Sequence, residues 1–132
     1  MDAPPPELPR VRLVTAWARA TVIAWVVVMA GLIAVVVSGR NVGKPAWWVG
    51  PESNPTLFIV WLAPFLLPLA TIVLAFGSSR LVPIVGVAAA VAIAGFAFGD
   101  VVDSPGVAIL EGVIALGALC IALATFAGLE RR

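Results

Sequence analysis

The stretch ATVIAWVVVMAGLIAVVVSG, residues 20–39, decides the fold. It carries no charged side chain and lies between Arg19 and Arg40. About twenty helical residues at roughly 1.5 Å each reach about 30 Å, which matches the hydrocarbon thickness of a bilayer. Its many β-branched residues are typical of strands in water, but an open strand in lipid leaves backbone groups unpaired. The stretch therefore predicts a transmembrane helix.

Three more apolar stretches follow the first. The predicted spans are residues 20–39, 56–77, 81–99 and 106–128. Of the 132 residues, 62% are hydrophobic and 11% are charged, whereas soluble domains have about 45–50% and about 25%. A water-soluble fold of this length could not bury so much apolar surface. We expect an all-α fold, an integral membrane bundle of four transmembrane helices arranged as two antiparallel hairpins.

The two ends of the chain are predicted to lie on the cytoplasmic side. Residues 1–14 are expected to form a Pro-rich tail, and residues 15–132 the transmembrane domain. Basic residues favour the cytoplasmic side of a membrane. Six of the eight basic residues fall on the side of the termini, namely Arg10, Arg12, Arg19, Arg80, Arg131 and Arg132, against Arg40 and Lys44. We therefore expect a multi-pass protein of the cell (plasma) membrane with both termini in the cytoplasm.

Two dipeptides indicate where helices begin. Asn54-Pro55 and Ser104-Pro105 each place a capping residue before a proline. Proline suits the first helical position, because the backbone donor that it lacks has no partner there anyway. Spans two and four are therefore predicted to start at these dipeptides.

Three tryptophans are predicted to anchor the protein at the membrane surface. Indole rings favour the headgroup layer, and Trp17, Trp47 and Trp48 lie just outside the predicted spans. The connector that holds Trp47 and Trp48 also contains helix-breaking glycines and prolines. An alternative for these two rings is an exposed docking surface, since aromatic side chains are enriched at protein interfaces.

Glu111 is the residue that most needs an explanation, because it lies inside the fourth span. Intramembrane acids usually face a bundle interior or an aqueous cavity. Small residues share its helical face, namely Ala108, Ala115, Ala118 and Ala122. Bulkier residues occupy the other side, namely Ile109, Val113, Leu116, Cys120 and Leu123. Small residues mark close helix contacts in lipid, so Glu111 is predicted to point into the bundle.

A second stripe of small residues is predicted to complete this contact. On span three, one face carries Ala88, Ala92, Gly95 and Gly99. Two complementary small stripes on helices joined by a short turn favour tight antiparallel packing. We therefore expect this face of span three to pack against the alanine face of span four.

Several groups could satisfy the carboxyl group of Glu111. Arg40 is the candidate cation, and the indole N–H of Trp61 is a neutral alternative at a similar depth. The acid could also stay protonated, because burial disfavours the charged form. Asp100 and Asp103 lie in the turn before span four. They are expected to be solvated residues whose negative charges stabilise the N-terminus of that helix. They are also possible partners of Glu111, with which they could instead handle cations or protons.

The composition excludes several classes of function. The chain has no histidine and one cysteine, Cys120, so imidazole ligation, internal disulfides and CxxC redox pairs are absent. A net charge of +1 offers no basic patch to nucleic acid. We predict no catalytic residue, no metal site, no cofactor and no enzyme activity. An enzyme would have to use Asp100, Asp103 and Glu111 without a nucleophile or a histidine.

Two functions remain at this stage. The first is an accessory or scaffolding protein that packs against a larger membrane complex. The second is a small oligomeric transporter, or an ion- or proton-conducting protein, that uses Glu111. The expected partners are the lipid bilayer and either other membrane subunits or further copies of the chain. The scarcity of lysine, with abundant alanine, valine and arginine, favours a GC-rich bacterial source.

Overall fold

The computed structural model describes residues 11–131. The elements in this range are β1 (Val11–Leu13), α1 (Thr15–Asn41), α2 (Phe58–Phe76), α3 (Val82–Gly99), α4 (Pro105–Phe126) and β2 (Leu129–Arg131). All four helices are long and apolar enough to cross a membrane. The prediction of a mostly helical chain with four such helices is thereby confirmed.

The helices form a closed ring around one core. α1 packs against α2 and α4, and α3 packs against the same two helices. The interior combines a few large side chains, such as Trp25 and Ile93, with many alanines. Large aliphatic side chains such as Val27 and Val113 are more than 60% exposed. Small residues inside and bulky ones outside are typical of helices that pack in lipid.

We call the two ends of the bundle the terminal end and the connector end. β1 and β2 lie at the terminal end, where they pair antiparallel with Leu13 opposite Leu129. The connector end holds the connector 42–57 between α1 and α2, and the turn between α3 and α4. The first and last described segments of the chain therefore lie side by side.

The boundary predicted for the N-terminal tail is corrected by β1. Residues 1–10 lie outside the described range, but residues 11–13 belong to the folded domain, and Leu13 is 3% exposed. The backbone N–H of Leu13 also donates to Ser78 O at 3.0 Å. A strand of three residues has no readable periodicity, so the sequence could not indicate this pairing.

The predicted start of the second helix is also corrected. α2 begins at Phe58, and Asn54 and Pro55 lie in the connector. Thr56 stays in the connector and does not join the helix. Its backbone N–H donates to Val49 O at 3.2 Å, and its hydroxyl donates to Trp48 O. The predicted start of the fourth helix agrees, with Pro105 in its first turn.

The face predicted for α3 is wrong in part. Ala88 and Gly95 are exposed and Ala92 is half-buried, while Gly99 lies under the ring of Trp47. The buried small residues of this helix are Gly86, Ala89, Ala90 and Ala97. Because alanine and glycine occur on every side of α3, small size alone could not select the packed face. The position of α3 between α2 and α4 selects it instead.

Gly86 lets α3 approach α4 and α1 closely. A Cβ atom at this position would lie 3.0 Å from Ala122 Cβ and 3.2 Å from a ring carbon of Trp25. Both distances are shorter than ordinary van der Waals contact, so a side chain at residue 86 would push α4 and α1 away.

Candidate functional site

The connector between α1 and α2 folds into the connector end of the bundle. Its residues 46–49, which we call the plug, form a single turn in which Val49 N donates to Ala46 O at 3.0 Å. Trp48 and Val49 have no exposed surface. Gly43 and Gly50 flank the plug with φ of +71°, a conformation that favours glycine and lets the chain reverse there.

Aromatic rings hold the plug against the helices. The ring of Trp48 packs edge-on against Phe65 of α2 and Phe96 of α3, with centroids 6.1 and 6.0 Å apart. Trp47 stacks on Phe96 at 5.6 Å, and its Nε1 donates to Phe96 O at 3.0 Å. The plug therefore packs as part of the core.

Two buried acids accept hydrogen bonds from consecutive residues of the plug. Glu111 Oε1 accepts from Trp48 Nε1 at 2.8 Å, and Asp100 Oδ1 accepts from the backbone N–H of Trp47 at 2.8 Å. Neither acid has any exposed surface. Glu111 comes from α4, and Asp100 follows the last residue of α3. The acids thus join the plug to both of these helices.

The second carboxyl oxygen of each acid has no hydrogen-bond donor among the described residues. No N–H or O–H group in residues 11–131 donates to Asp100 Oδ2 or Glu111 Oε2. The two carboxyl groups instead lie close enough to interact with each other. Burial raises the pKa of Asp100 above its ordinary value of 3.8, and repulsion from Asp103 adds to the rise. The N–H of Trp47 and the contact with Glu111 oppose that rise in the pKa.

Several roles predicted for this region are corrected. The guanidinium of Arg40 lies over the ring of Trp61, 4.9 Å from its centroid, and the Nε1 of Trp61 donates to Val49 O at 3.1 Å. Neither residue is the partner of Glu111. Trp48, expected as an interfacial anchor, is the buried donor, and Asp100, expected in solvent, is buried.

The other predicted residues lie as follows. Asp103 is exposed beside the buried pair. Trp17 and Trp47 are 38% and 45% exposed, at opposite ends of the bundle. The structure places the predicted small stripe of α4 on its buried side, with Ala108, Glu111, Ala115, Ala118 and Ala122. The side predicted to face lipid is exposed, with Ile109, Val113, Leu116, Cys120 and Leu123.

The surface between α3 and α4 forms a shallow groove of about 250 Å³. We call it the α3–α4 groove, and its lining residues are Ala90, Val91, Ala94, Gly112, Ala115, Leu116 and Leu119. It opens on the outside of the bundle, where Ala94 and Leu116 are exposed. A Cβ atom at Gly112 would meet no atom within 4 Å, so the bundle itself does not require glycine there.

No protein family matches the sequence, and comparisons with curated proteins and with solved structures give no match. The chain is therefore classified by its own features. The four helices have the length and composition of a multi-pass membrane protein.

Proposed function

We propose that this chain is a small integral membrane protein that packs laterally against a larger membrane complex and contributes no chemistry of its own. Its helices form two antiparallel hairpins that cross the bilayer. The observation that carries the proposal is the α3–α4 groove, an outward-facing surface of small and aliphatic residues on helices of strongly apolar composition. Such surfaces let a second helix approach closely, so that van der Waals packing and weak hydrogen bonds stabilise the contact.

Gly112 supports this use of the groove. Glycine in the middle of a helix costs roughly 1 kcal/mol relative to alanine, and the packing of this chain gains nothing from it at residue 112. A helix of a partner would gain, because the backbone of α4 is bare at that point. Ala94 and Gly112 therefore form the expected contact surface for a transmembrane helix of the complex.

A photocrosslinking residue in place of Ala94 is expected to form an adduct with a partner protein in native membranes. The same residue in place of Ala30, an exposed alanine of α1, is the matched control and should give little adduct. Adding Gly112→Leu should reduce the Ala94 adduct by about tenfold or more, because about 1.4 kcal/mol of lost contact already has that effect. The adducts are identified by mass spectrometry after extraction in polymer nanodiscs.

Gly117→Leu is the control for Gly112→Leu. Both glycines lie in α4, and a Cβ atom at either meets no atom within 4 Å, so the fold should tolerate both changes. The proposal is wrong if Gly117→Leu removes the adduct as strongly as Gly112→Leu does. An adduct with twice the mass of the chain would indicate self-association in place of a larger complex.

The orientation in the membrane is part of the proposal. The pairing of β1 with β2 supports both ends of the described chain lying on one side of the membrane. Arg12, Arg19 and Arg80 lie at that terminal end, and Arg40 and Lys44 at the connector end. The excess of arginine supports a cytoplasmic terminal end in the plasma membrane.

Cysteine labelling tests this orientation. In a Cys120→Ala background, Ser53→Cys in the connector should react with a membrane-impermeant maleimide in intact cells. Thr15→Cys, at the start of α1, should react only after permeabilisation, because it lies at the terminal end. Both native residues are exposed, so burial does not bias the comparison. Labelling of Thr15→Cys alone in intact cells would invert the topology, and labelling of both would contradict insertion.

The alternative function, transport by means of Glu111, requires a path that carries an ion or a proton past this acid and through the bundle. Glu111 has no exposed surface, and the indole N–H of Trp48 donates to its Oε1. The acid is thus engaged in holding the plug. This geometry favours the accessory role.

A further inference from the structure

We propose that Asp100 and Glu111 form a proton-binding site, in which one proton is shared between Asp100 Oδ2 and Glu111 Oε2 and keeps the plug docked. This site lies at the connector end and does not depend on the partner proposed for the α3–α4 groove. Its ligand is a proton from water.

The hydrogen bonds around the pair leave one oxygen of each acid without a donor, and one proton between them would supply it. Asp100 Oδ1 and Glu111 Oε1 each accept an N–H of the plug, whereas Oδ2 and Oε2 receive no donor from residues 11–131. The two carboxyl groups nevertheless lie close enough to interact with each other. Two carboxylates have only acceptors, so they can share a hydrogen bond only when one of them carries a proton. A single proton satisfies both oxygens.

No basic group near the pair can take the place of that proton. α2, α3 and α4 carry no charged residue other than Glu111. At the end of α1, Arg40 lies over Trp61, and within the described residues it makes no ion pair with either acid. Lys44 in the connector is exposed and makes no such pair either, and Glu52 and Asp103 are exposed acids that can only add negative charge.

Loss of the proton should release the plug. The proton passes to water at the surface beside Asp103, and two buried carboxylates remain in place of one. Two neighbouring like charges in a medium of low dielectric constant repel strongly, and burial penalises each of them further. Hydrogen bonds from the N–H groups of Trp47 and Trp48 no longer offset the repulsion and the burial penalty. The acids should therefore move away from the plug, where water can hydrate them.

The sign of the pH dependence follows from Asp100. The pKa of this acid is raised in the folded protein, so the folded state binds the proton more tightly than the unfolded chain does. Docking is therefore strongest below the ordinary value of 3.8 and weakens as the pH rises through the raised value. A solvated pair of acids would show the opposite trend or none.

Infrared titration of the wild-type chain in nanodiscs tests for the proton without any substitution. The carbonyl band of a protonated carboxylic acid should persist above the pH at which exposed acids lose it, and should vanish when the plug is released. The band should be absent at that pH in Glu111→Gln and in Asp100→Asn. It should remain in Asp103→Asn, which removes only the exposed neighbouring acid.

Hydrogen exchange of residues 42–57, corrected for the intrinsic rate, follows docking of the plug. In the wild type, protection should fall by about tenfold for each pH unit above the pKa of the pair, which is the limit for release of one proton. In Glu111→Gln the amide donates to Asp100 as the protonated acid would, and its Oε1 still accepts from Trp48. Protection in this variant should stay high and independent of pH.

Three results would overturn the proposal. One is a docked plug in the wild type with no protonated carboxylic acid. Another is a pH dependence in Glu111→Gln equal to that of the wild type. The third is protection that changes when sodium is replaced by choline at constant pH, because the pair would then bind a metal cation. Loss of the groove adduct leaves these measurements unaffected, so the two proposals fail separately.

Discussion

Replacing Trp48 with alanine is expected to lower the free energy of unfolding by about 3–5 kcal/mol, the range for a fully buried large aromatic residue. The indole has no exposed surface and packs against Phe65 and Phe96. Its N–H is also the donor to Glu111 Oε1, at 2.8 Å. The substitution therefore removes packing and leaves a buried carboxyl oxygen without a donor. Detergent-induced unfolding in mixed micelles, followed by near-ultraviolet circular dichroism, measures the change.

Two further variants separate these contributions. Trp48→Phe keeps most of the ring volume and loses only the donor, so it should cost about 1–3 kcal/mol, the range for leaving a buried acceptor unsatisfied. Trp47→Ala keeps the backbone N–H that Asp100 accepts, and this ring is 45% exposed. Its loss should cost about 1 kcal/mol, the scale of one aromatic pair. Equal effects of Trp47→Ala and Trp48→Ala would mean that the buried indole does not hold the plug.

Replacing Gly86 with leucine is expected to destabilise the bundle by about 3 kcal/mol, the upper end for inserting side-chain atoms into a packed core. The first added atom already lies 3.0 Å from Ala122 and 3.2 Å from Trp25. The backbone fixes the position of this Cβ atom, so rotation of the new side chain cannot relieve these two contacts. α3 must therefore move away from α4. The same unfolding experiment measures the effect.

Gly95→Leu is the matched control on the same helix. A Cβ atom at Gly95 would meet nothing within 4 Å, so this change should leave stability unchanged or raise it by up to about 1 kcal/mol through helix propensity. Destabilisation of similar size by both variants would indicate that α3 packs through the face that carries Ala88 and Gly95. That result would support the packing face of α3 that was predicted from the sequence.

The two small-residue stripes show what the sequence can and cannot predict. On α4 the small residues and Glu111 occupy one face and the aliphatic residues the other, so the pattern itself indicates the buried side. On α3, alanines lie on both sides, and the structure buries Ala89 and Ala90 while Ala88 is exposed. Where small residues surround a helix, its neighbours determine the orientation, and a single sequence does not contain that information.

The candidate site was harder to predict than the helices. The sequence placed Glu111 inside the bundle but offered Arg40 and Trp61 as its partners. The donor comes from the connector, whose path depends on two left-handed glycines, Gly43 and Gly50, and on packing against α2 and α3. The signal in the sequence was the Trp47-Trp48 pair between these glycines. When the two tryptophans are interpreted as interfacial anchors, they do not predict that Trp48 is buried. They do not predict that Asp100 is buried either.

The short sheet at the terminal end imposes an order on biosynthesis. Val11–Leu13 are translated before α1, but their partner Leu129–Arg131 is translated only after α4. Until β2 has been translated, β1 has no second strand with which its backbone can pair. Formation of the sheet is therefore a late event in synthesis. A nascent chain that ends within α4 cannot yet join its first strand to the second, whatever the state of its helices.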